Sequence, residues 1–256
     1  MSNASRINVN EIVREQIRRG NPWYVGSQFE WAENPAVRLI YNKRFQYIVH
    51  CIENARMRLG PVVKLLDAGC GDGYWLARLQ EVPGLRLIGV DYNPLRVERA
   101  KSAAPNARIV LGDLTSFASG ETFDIVLLNQ VIEHVPDDVG LLQMVHSLLR
   151  PGGVMLLGTP NEGSRLQRWM LRRTGGLATT DHVHFYTEDE IRRKIVESGF
   201  SIDSVMREVF YPGYDRLYYW LTARPWGFRL LEWMTWLWPA ECSDYYFECR
   251  VPGPKA

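Results

Sequence analysis

Residues 65–73 read Leu-Leu-Asp-Ala-Gly-Cys-Gly-Asp-Gly, an apolar run entering a loop with glycine at every second position. Gly69, Gly71 and Gly73 carry no Cβ to hold a ligand off the backbone, and they tolerate the positive φ of a tight strand-to-helix turn. A helical pattern, Tyr74-Trp75-Leu76-Ala77-Arg78-Leu79, follows at once, so its first N–H groups point into the same crevice. Such a loop makes a nucleotide-type pocket. A dinucleotide fingerprint, G-x-G-x-x-G, would need glycine at position 74, where this chain has Tyr74. That glycine normally lets helix and strand close beside a pyrophosphate, so the tyrosine points to a ligand without one.

Other polar residues sit where further strands should end. Asp91 closes Leu85–Asp91 and can accept both hydroxyls of a ribose. Asp113, in Gly112-Asp113-Leu114, can accept from an adenine amino group, while a backbone N–H there reaches a ring nitrogen. Asn129-Gln130-Val131-Ile132-Glu133-His134 follows the next apolar run. No Arg or Lys stands among these residues to meet a phosphate, so the pocket suits an adenosine with a phosphate-free tail. Asp67 is expected to orient the glycine loop by hydrogen bonds, Asp124 to support its strand, and Cys70 to be a small residue near the ligand rather than a nucleophile.

Histidine is the usual general base near neutrality, and His134, His182 and His184 are the candidates. In an extended segment His182 and His184 share one face, beside Asp181. Two histidines make a thin ligand set, so pocket packing is the expectation there and no metal is assigned.

The elements that must hold these residues are short apolar strands alternating with amphipathic helices. Val63–Ala68, Leu85–Asp91, Ala107–Gly112, Phe123–Asn129 and Gly153–Thr159 are the strands, with two more at about 200–210 and 245–251. This predicts an α/β fold: a Rossmann-like, seven-stranded, mostly parallel, doubly wound sheet with helices on both faces. Asp137 and Asp138 are expected to cap a helix that stops at Pro151-Gly152-Gly153, and Thr187–Glu190 reads as a capping box for a helix closing at Gly199. Residues 1–60 form an N-terminal helical cap, and 61–256 the main domain. An aromatic-rich helical insertion, 211–242, precedes the last strand. Within it Trp226, Leu230, Trp233, Met234 and Leu237 keep helical spacing. They suit a lid helix packed on the sheet, or an interfacial helix whose Arg216, Arg224 and Arg229 meet headgroups.

Bulk properties exclude several classes. Thirty Lys and Arg oppose 29 Asp and Glu, a net charge of +1, too weak a field for a nucleic-acid partner. The four cysteines show no paired spacing, which suits a reducing cytoplasm. No secretory h-region opens the chain and no apolar run is long enough to span a bilayer.

With these residues in place, the chain resembles the class I S-adenosylmethionine-dependent methyltransferases. The carrying motifs are Leu66–Gly73, Gly89–Pro94, Gly112–Leu114, Phe123–Val126 with Glu133-His134-Val135, and Leu149–Gly153, in order over roughly residues 62–200. The resemblance is nearest to small-molecule O-methyltransferases of the ubiquinone-biosynthesis and glycan-decorating kind. It implies S-adenosyl-L-methionine as cofactor, with Asp91 and the following Tyr92 at the ribose and Asp113 and Leu114 at the adenine. Gly69, Cys70 and Gly71 would line the methionine portion, with Asn129 and Gln130 near its amino group. Arg38 would hold its carboxylate, with Arg44 as the rival. The expected activity is methyl transfer to a small or lipid-linked acceptor, at oxygen, with peripheral membrane contact through 211–242 as an open option. The competing readings are a cofactor-binding regulator without turnover and a nicotinamide-dependent oxidoreductase. Asn129-Gln130-Val131-Ile132 also lacks the Asn/Asp-Pro-Pro-aromatic pattern of enzymes that methylate nucleic-acid bases.

Overall fold

The computed structural model describes residues 9–117, 119–174 and 182–253. Asp181 and the first eight residues of the expected N-terminal cap lie outside them. The sheet has the order β3-β2-β1-β4-β5-β7-β6. Its strands are β1 (Val63–Ala68), β2 (Leu85–Asp91), β3 (Arg108–Leu111), β4 (Phe123–Asn129), β5 (Leu149–Pro160), β6 (Ser201–Arg207) and β7 (Asp244–Arg250). All neighbours pair in parallel except β7, which runs antiparallel to both β5 and β6. This is the mostly parallel, doubly wound sheet the strand pattern predicts. β1, β2 and β4 are buried along most of their length, which is why they read as continuous apolar runs rather than alternating ones.

Two strands differ from expectation by more than one residue at an end. β5 starts four residues early and absorbs Pro151-Gly152-Gly153, because the β4 register jumps from Phe123↔Leu149 to Ile125↔Val154. The glycine pair is thus a bulge inside a strand rather than a turn before it; Gly152 has φ +79°, and a Cβ on Gly153 would come within 2.8 Å of the Arg150 carbonyl. β6 ends at Arg207 instead of continuing to Phe210. Glu208 beyond it is buried against Arg44 and a single bridge joins Phe210 to Cys242.

The helices are α1 (Val9–Arg18), α2 (Pro22–Val25), α3 (Gln28–Glu33), α4 (Pro35–Leu59), α5 (Tyr74–Leu79), α6 (Pro94–Ala103), α7 (Asp138–Leu148), α8 (Arg165–Thr174), α9 (Glu188–Glu197), α10 (Asp215–Thr222) and α11 (Pro225–Leu237). On one face of the sheet, Val37, Tyr41, Ile48, Cys51 and Ile52 of α4 join Trp75 and Leu76 of α5 in a core with β1, β4 and β5. On the other, Leu141, Leu142 and Val145 of α7 meet Ile191 and Ile195 of α9. Thr187 and Glu190 form the capping box of α9. Asp137 caps α7 by accepting from the Gly140 N–H. Asp138 takes no part in that cap. It is buried and accepts from the Tyr186 hydroxyl (2.6 Å) and Lys194 (2.9 Å).

In the insertion, Tyr218 and Leu221 of α10 and Phe228 and Leu231 of α11 close a third apolar cluster over Ile40 of α4. The expected packing stripe lies on the other side. Trp226, Leu230, Trp233 and Leu237 face solvent, and only Met234 of that set is partly buried. No helix among the described residues is long and apolar enough to cross a membrane.

Candidate functional site

The strand order reverses between β1 and β4, and the glycine loop, the Asp91 turn and the segment after Asn129 all leave the carboxyl ends of the strands there. Gly69, Gly71 and Gly73 adopt φ of +84°, +53° and +79°. A Cβ on Gly69 would stand 2.5 Å from Val131 Cγ2, and one on Gly73 would stand 2.9 Å from the Ala100 backbone. The glycines therefore serve packing: Gly69 admits the β4 loop, and Gly73 admits α6.

Asp91 is 8% exposed. Its Oδ2 accepts from the Gly71 N–H (2.9 Å) and its Oδ1 from the Asn93 N–H (2.8 Å). The role expected of Asp67, orienting the glycine loop, is thus performed by Asp91. Burial raises the Asp91 pKa against the lowering effect of those two N–H groups. Asp67 is buried, and its Oδ2 has no hydrogen-bond partner among the described residues. Desolvation, reinforced by the Asp91 charge, lifts its pKa from 3.8 to about 8. An orphaned acidic oxygen behind a Cβ-free loop fits a ligand carrying positive charge. Cys70 is 2% exposed with its thiol pushed up by burial, so it is no nucleophile.

Asp113 caps the 3-10 turn Leu114–Ser116, its Oδ1 accepting from the Thr115 N–H and hydroxyl. Leu114 beside it is buried and Tyr92 is 38% exposed. A cavity of about 260 Å³ borders Gly112, Asp113 and Phe117 but reaches none of the glycine loop or Asp91, so it lies beside the switch point rather than in it.

After β4 the side chains turn toward β7. Tyr246 donates its hydroxyl to Asn129 Oδ1 (2.5 Å), and Gln130 Nε2 donates to Asp244 Oδ1 (3.1 Å). Gln130 has φ +56°, the one non-glycine residue in the left-handed region among those described. Asp244 and Glu208 in turn hold Arg44. Its Nε meets Glu208 Oε1 at 2.5 Å, and its Nη2 meets Glu208 Oε2 at 2.9 Å and Asp244 Oδ1 at 3.1 Å. Arg44 is therefore fully engaged in a buried ion pair. Arg38, one helical turn before Tyr41, is exposed and forms no ion pair among the described residues.

The histidines separate. His182 packs edge-on to His134 with ring centroids 4.6 Å apart, and its Nδ1 bonds Glu162 Oε2 at 2.7 Å. His184 goes elsewhere: its Nε2 donates to the Val135 and Pro136 carbonyls (3.0 and 3.2 Å) while its ring stacks on Tyr186. The two histidines consequently do not share a face. Glu133 is fully buried; its Oε2 accepts from Thr159, its Oε1 lacks a partner among the described residues, and burial raises its pKa. One donor atom each of Glu133, His134 and His182 lie within 4.8 Å of one another, close enough to converge on one cation.

With this geometry in place, comparison with known proteins names the family. The family described as "Methyltransferase domain" matches residues 30–205, more than half of the chain. The chain belongs to the methyltransferase family. Trans-aconitate 2-methyltransferase of Escherichia coli is 28% identical over 193 residues, covering 70% of this chain and 74% of that protein. Magnesium protoporphyrin IX methyltransferase from Synechocystis PCC 6803, solved with bound S-adenosylhomocysteine, aligns with a TM-score of 0.64 and 18% identity over 94% of this chain and 99% of that one. The N-methyltransferase NodS from Bradyrhizobium japonicum WM9 aligns with a TM-score of 0.59 and 16% identity over 95% and 98%. At these identities the solved structures share the fold. As a methyltransferase the chain is an enzyme, and its cofactor is S-adenosylmethionine.

Sequence reasoning about this methyltransferase missed the Glu133 side chain and Glu162. Both stand a few residues beyond a strand end, a signal that was available: Glu133 follows β4 and Glu162 follows β5. Asp244, which opens β7, and Glu208, just past β6, gave no such signal, because only the antiparallel pairing of those strands brings them to Arg44.

Proposed function

We propose that this methyltransferase moves the methyl group to an oxygen of a small-molecule acceptor bound beside His134 and His182. The observation that carries the reading is the His182–Glu162 pair set edge-on to His134 at the end of β4. Glu162 accepts from Nδ1–H and so orients the His182 ring, whose Nε2 would take the proton from an acceptor hydroxyl. An acidic acceptor such as a carboxylate needs no base, and the trans-aconitate relative supports testing that class first.

When bound, the cofactor supplies an electrophilic methyl on a sulfonium. Asp91 would accept from its ribose, and Tyr92 would flank that site. Asp113 and Leu114 would meet its adenine. Gly69, Cys70 and Gly71 would border its methionine part, with the Asn129 and Gln130 backbone near its amino group, Asp67 offering negative charge, and Arg38 at its carboxylate. The chain's work is to align the reacting atoms and exclude water. A lipid-linked acceptor is the second reading, which the solvent-facing tryptophans of 211–242 support.

Calorimetry with S-adenosylmethionine, S-adenosylhomocysteine and NADH tests the cofactor reading. Release of S-adenosylhomocysteine with trans-aconitate, catechols and lipid-linked phenols then tests the acceptor. The reading predicts binding of the two sulfur compounds alone, and turnover that collapses in His182→Ala with the hydroxyl acceptors. Turnover only with amines, or full turnover of the hydroxyl acceptors by His182→Ala, would overturn it.

A further inference from the structure

The helix α8 has the sequence Arg-Leu-Gln-Arg-Trp-Met-Leu-Arg-Arg-Thr, without a single acid. Arg165, Arg168, Trp169, Arg172 and Arg173 are exposed at helical i, i+3, i+4, i+7, i+8 spacing, while Leu166, Met170 and Leu171 turn inward. On α11 the outward residues are Trp226, Leu230, Trp233, Trp236 and Leu237, Trp236 reaching 78% exposure. Phe228 and Leu231 hold that helix from behind. The two stripes belong to one packed unit: the Leu166 N–H donates to Glu241 Oε2 (3.0 Å), Asn161 Nδ2 donates to the Ala240 and Cys242 carbonyls, and Leu166, Met170 and Met234 pack on the same apolar cluster.

Exposed stripes of this composition call for an occupant. Its chemistry names one. Indole rings favour the headgroup layer, where an apolar body and a polar N–H are both satisfied, and guanidinium groups favour phosphate. The acids of the insertion are already engaged: Glu232 pairs with Lys43, Glu241 with the Leu166 N–H, and Asp215 accepts from the Tyr211 hydroxyl. Arg165, Arg172 and Arg229 form no ion pair among the described residues. A second copy seated on the same face would oppose arginine to arginine, and the chain's overall charge of +1 provides no broad field for a polynucleotide.

We propose that α8 and α11 together form a docking surface for an anionic phospholipid bilayer, from which the enzyme draws its acceptor. The source of the acceptor rests on the lipid-linked reading above; the docking itself does not.

The test is flotation of the full chain with phosphatidylcholine vesicles, with and without phosphatidylglycerol. Flotation is expected with the anionic vesicles only, weakening as salt rises. The variants Trp233→Ala/Trp236→Ala and Arg165→Ala/Arg172→Ala, all at solvent-facing positions, should each lower partitioning about tenfold while keeping wild-type melting temperature and cofactor affinity. Absence of flotation, equal flotation by the variants, self-association through this face, or preferential binding of a single-stranded oligonucleotide would each overturn the proposal. Loss of cofactor binding by the wild type would instead overturn the functional reading and leave flotation untouched.

Discussion

The His182 ring stands edge-on to His134 at 4.6 Å between centroids, although one residue follows β4 and the other precedes α9. Backbone bonds from the Val183 and His184 N–H groups to the Glu133 carbonyl dock the two segments (2.8 and 3.2 Å). Position, not local sequence, makes this pair a candidate proton acceptor. His182→Ala should lower kcat with a hydroxyl acceptor about 100-fold or more, and leave cofactor affinity within about twofold. Glu162→Gln, which keeps the shape but loses the charge behind Nδ1, should cost about tenfold and shift the pH–rate profile. Steady-state kinetics beside calorimetry separates these effects.

Asp91 carries the second prediction. Its carboxylate accepts two loop N–H groups, so Asp91→Ala removes both the proposed ribose acceptor and the clamp on the glycine loop. Cofactor affinity should fall about 10- to 100-fold, and stability by about 1–3 kcal/mol. Asp91→Asn, able to accept one of the two bonds, should fall between. Chemical denaturation of both variants without ligand checks the stability part independently of binding.

Asp67 sets a pH dependence. Between its ordinary value of 3.8 and about 8, the folded chain keeps a proton that the unfolded chain has released. The native state then binds more protons, so this group makes stability fall as pH rises through that window. Asp67→Asn should flatten the fall, read as unfolding free energy against pH. Affinity for the cationic cofactor should move the other way, strengthening as pH rises toward about 8, because the positive charge favours the carboxylate. Proton release on binding, seen by calorimetry in buffers of different ionisation enthalpy, gives the second check.

Arg44 tests the buried network. Removing it by Arg44→Met strands Glu208 and Asp244 in the interior and should destabilise by about 3–5 kcal/mol. The double variant Arg44→Met/Glu208→Leu, which removes both members of the tightest pair, should regain at least about 1 kcal/mol of that loss. Thermal melts of the three proteins decide it.

The features legible along the chain are local in origin. β1, β2 and β4 sit at their predicted bounds because a strand buried on both faces is a short uninterrupted apolar run. The glycine loop, the Asp137 cap and the Thr187–Glu190 capping box are likewise set by residues a few positions apart. Features that depend on distant partners came from folding alone. Folding paired His182 with His134 and Glu162 and turned His184 to the Val135 carbonyl, a split that alternation along an extended segment does not encode. It engaged Arg44 with two acids from the neighbourhood of β6 and β7 and left Arg38 exposed. It also chose the face of α11: that helix is apolar nearly all round, so its periodicity admits several buried faces, and only the fit of Phe228 and Leu231 over Ile40 leaves the tryptophans in water.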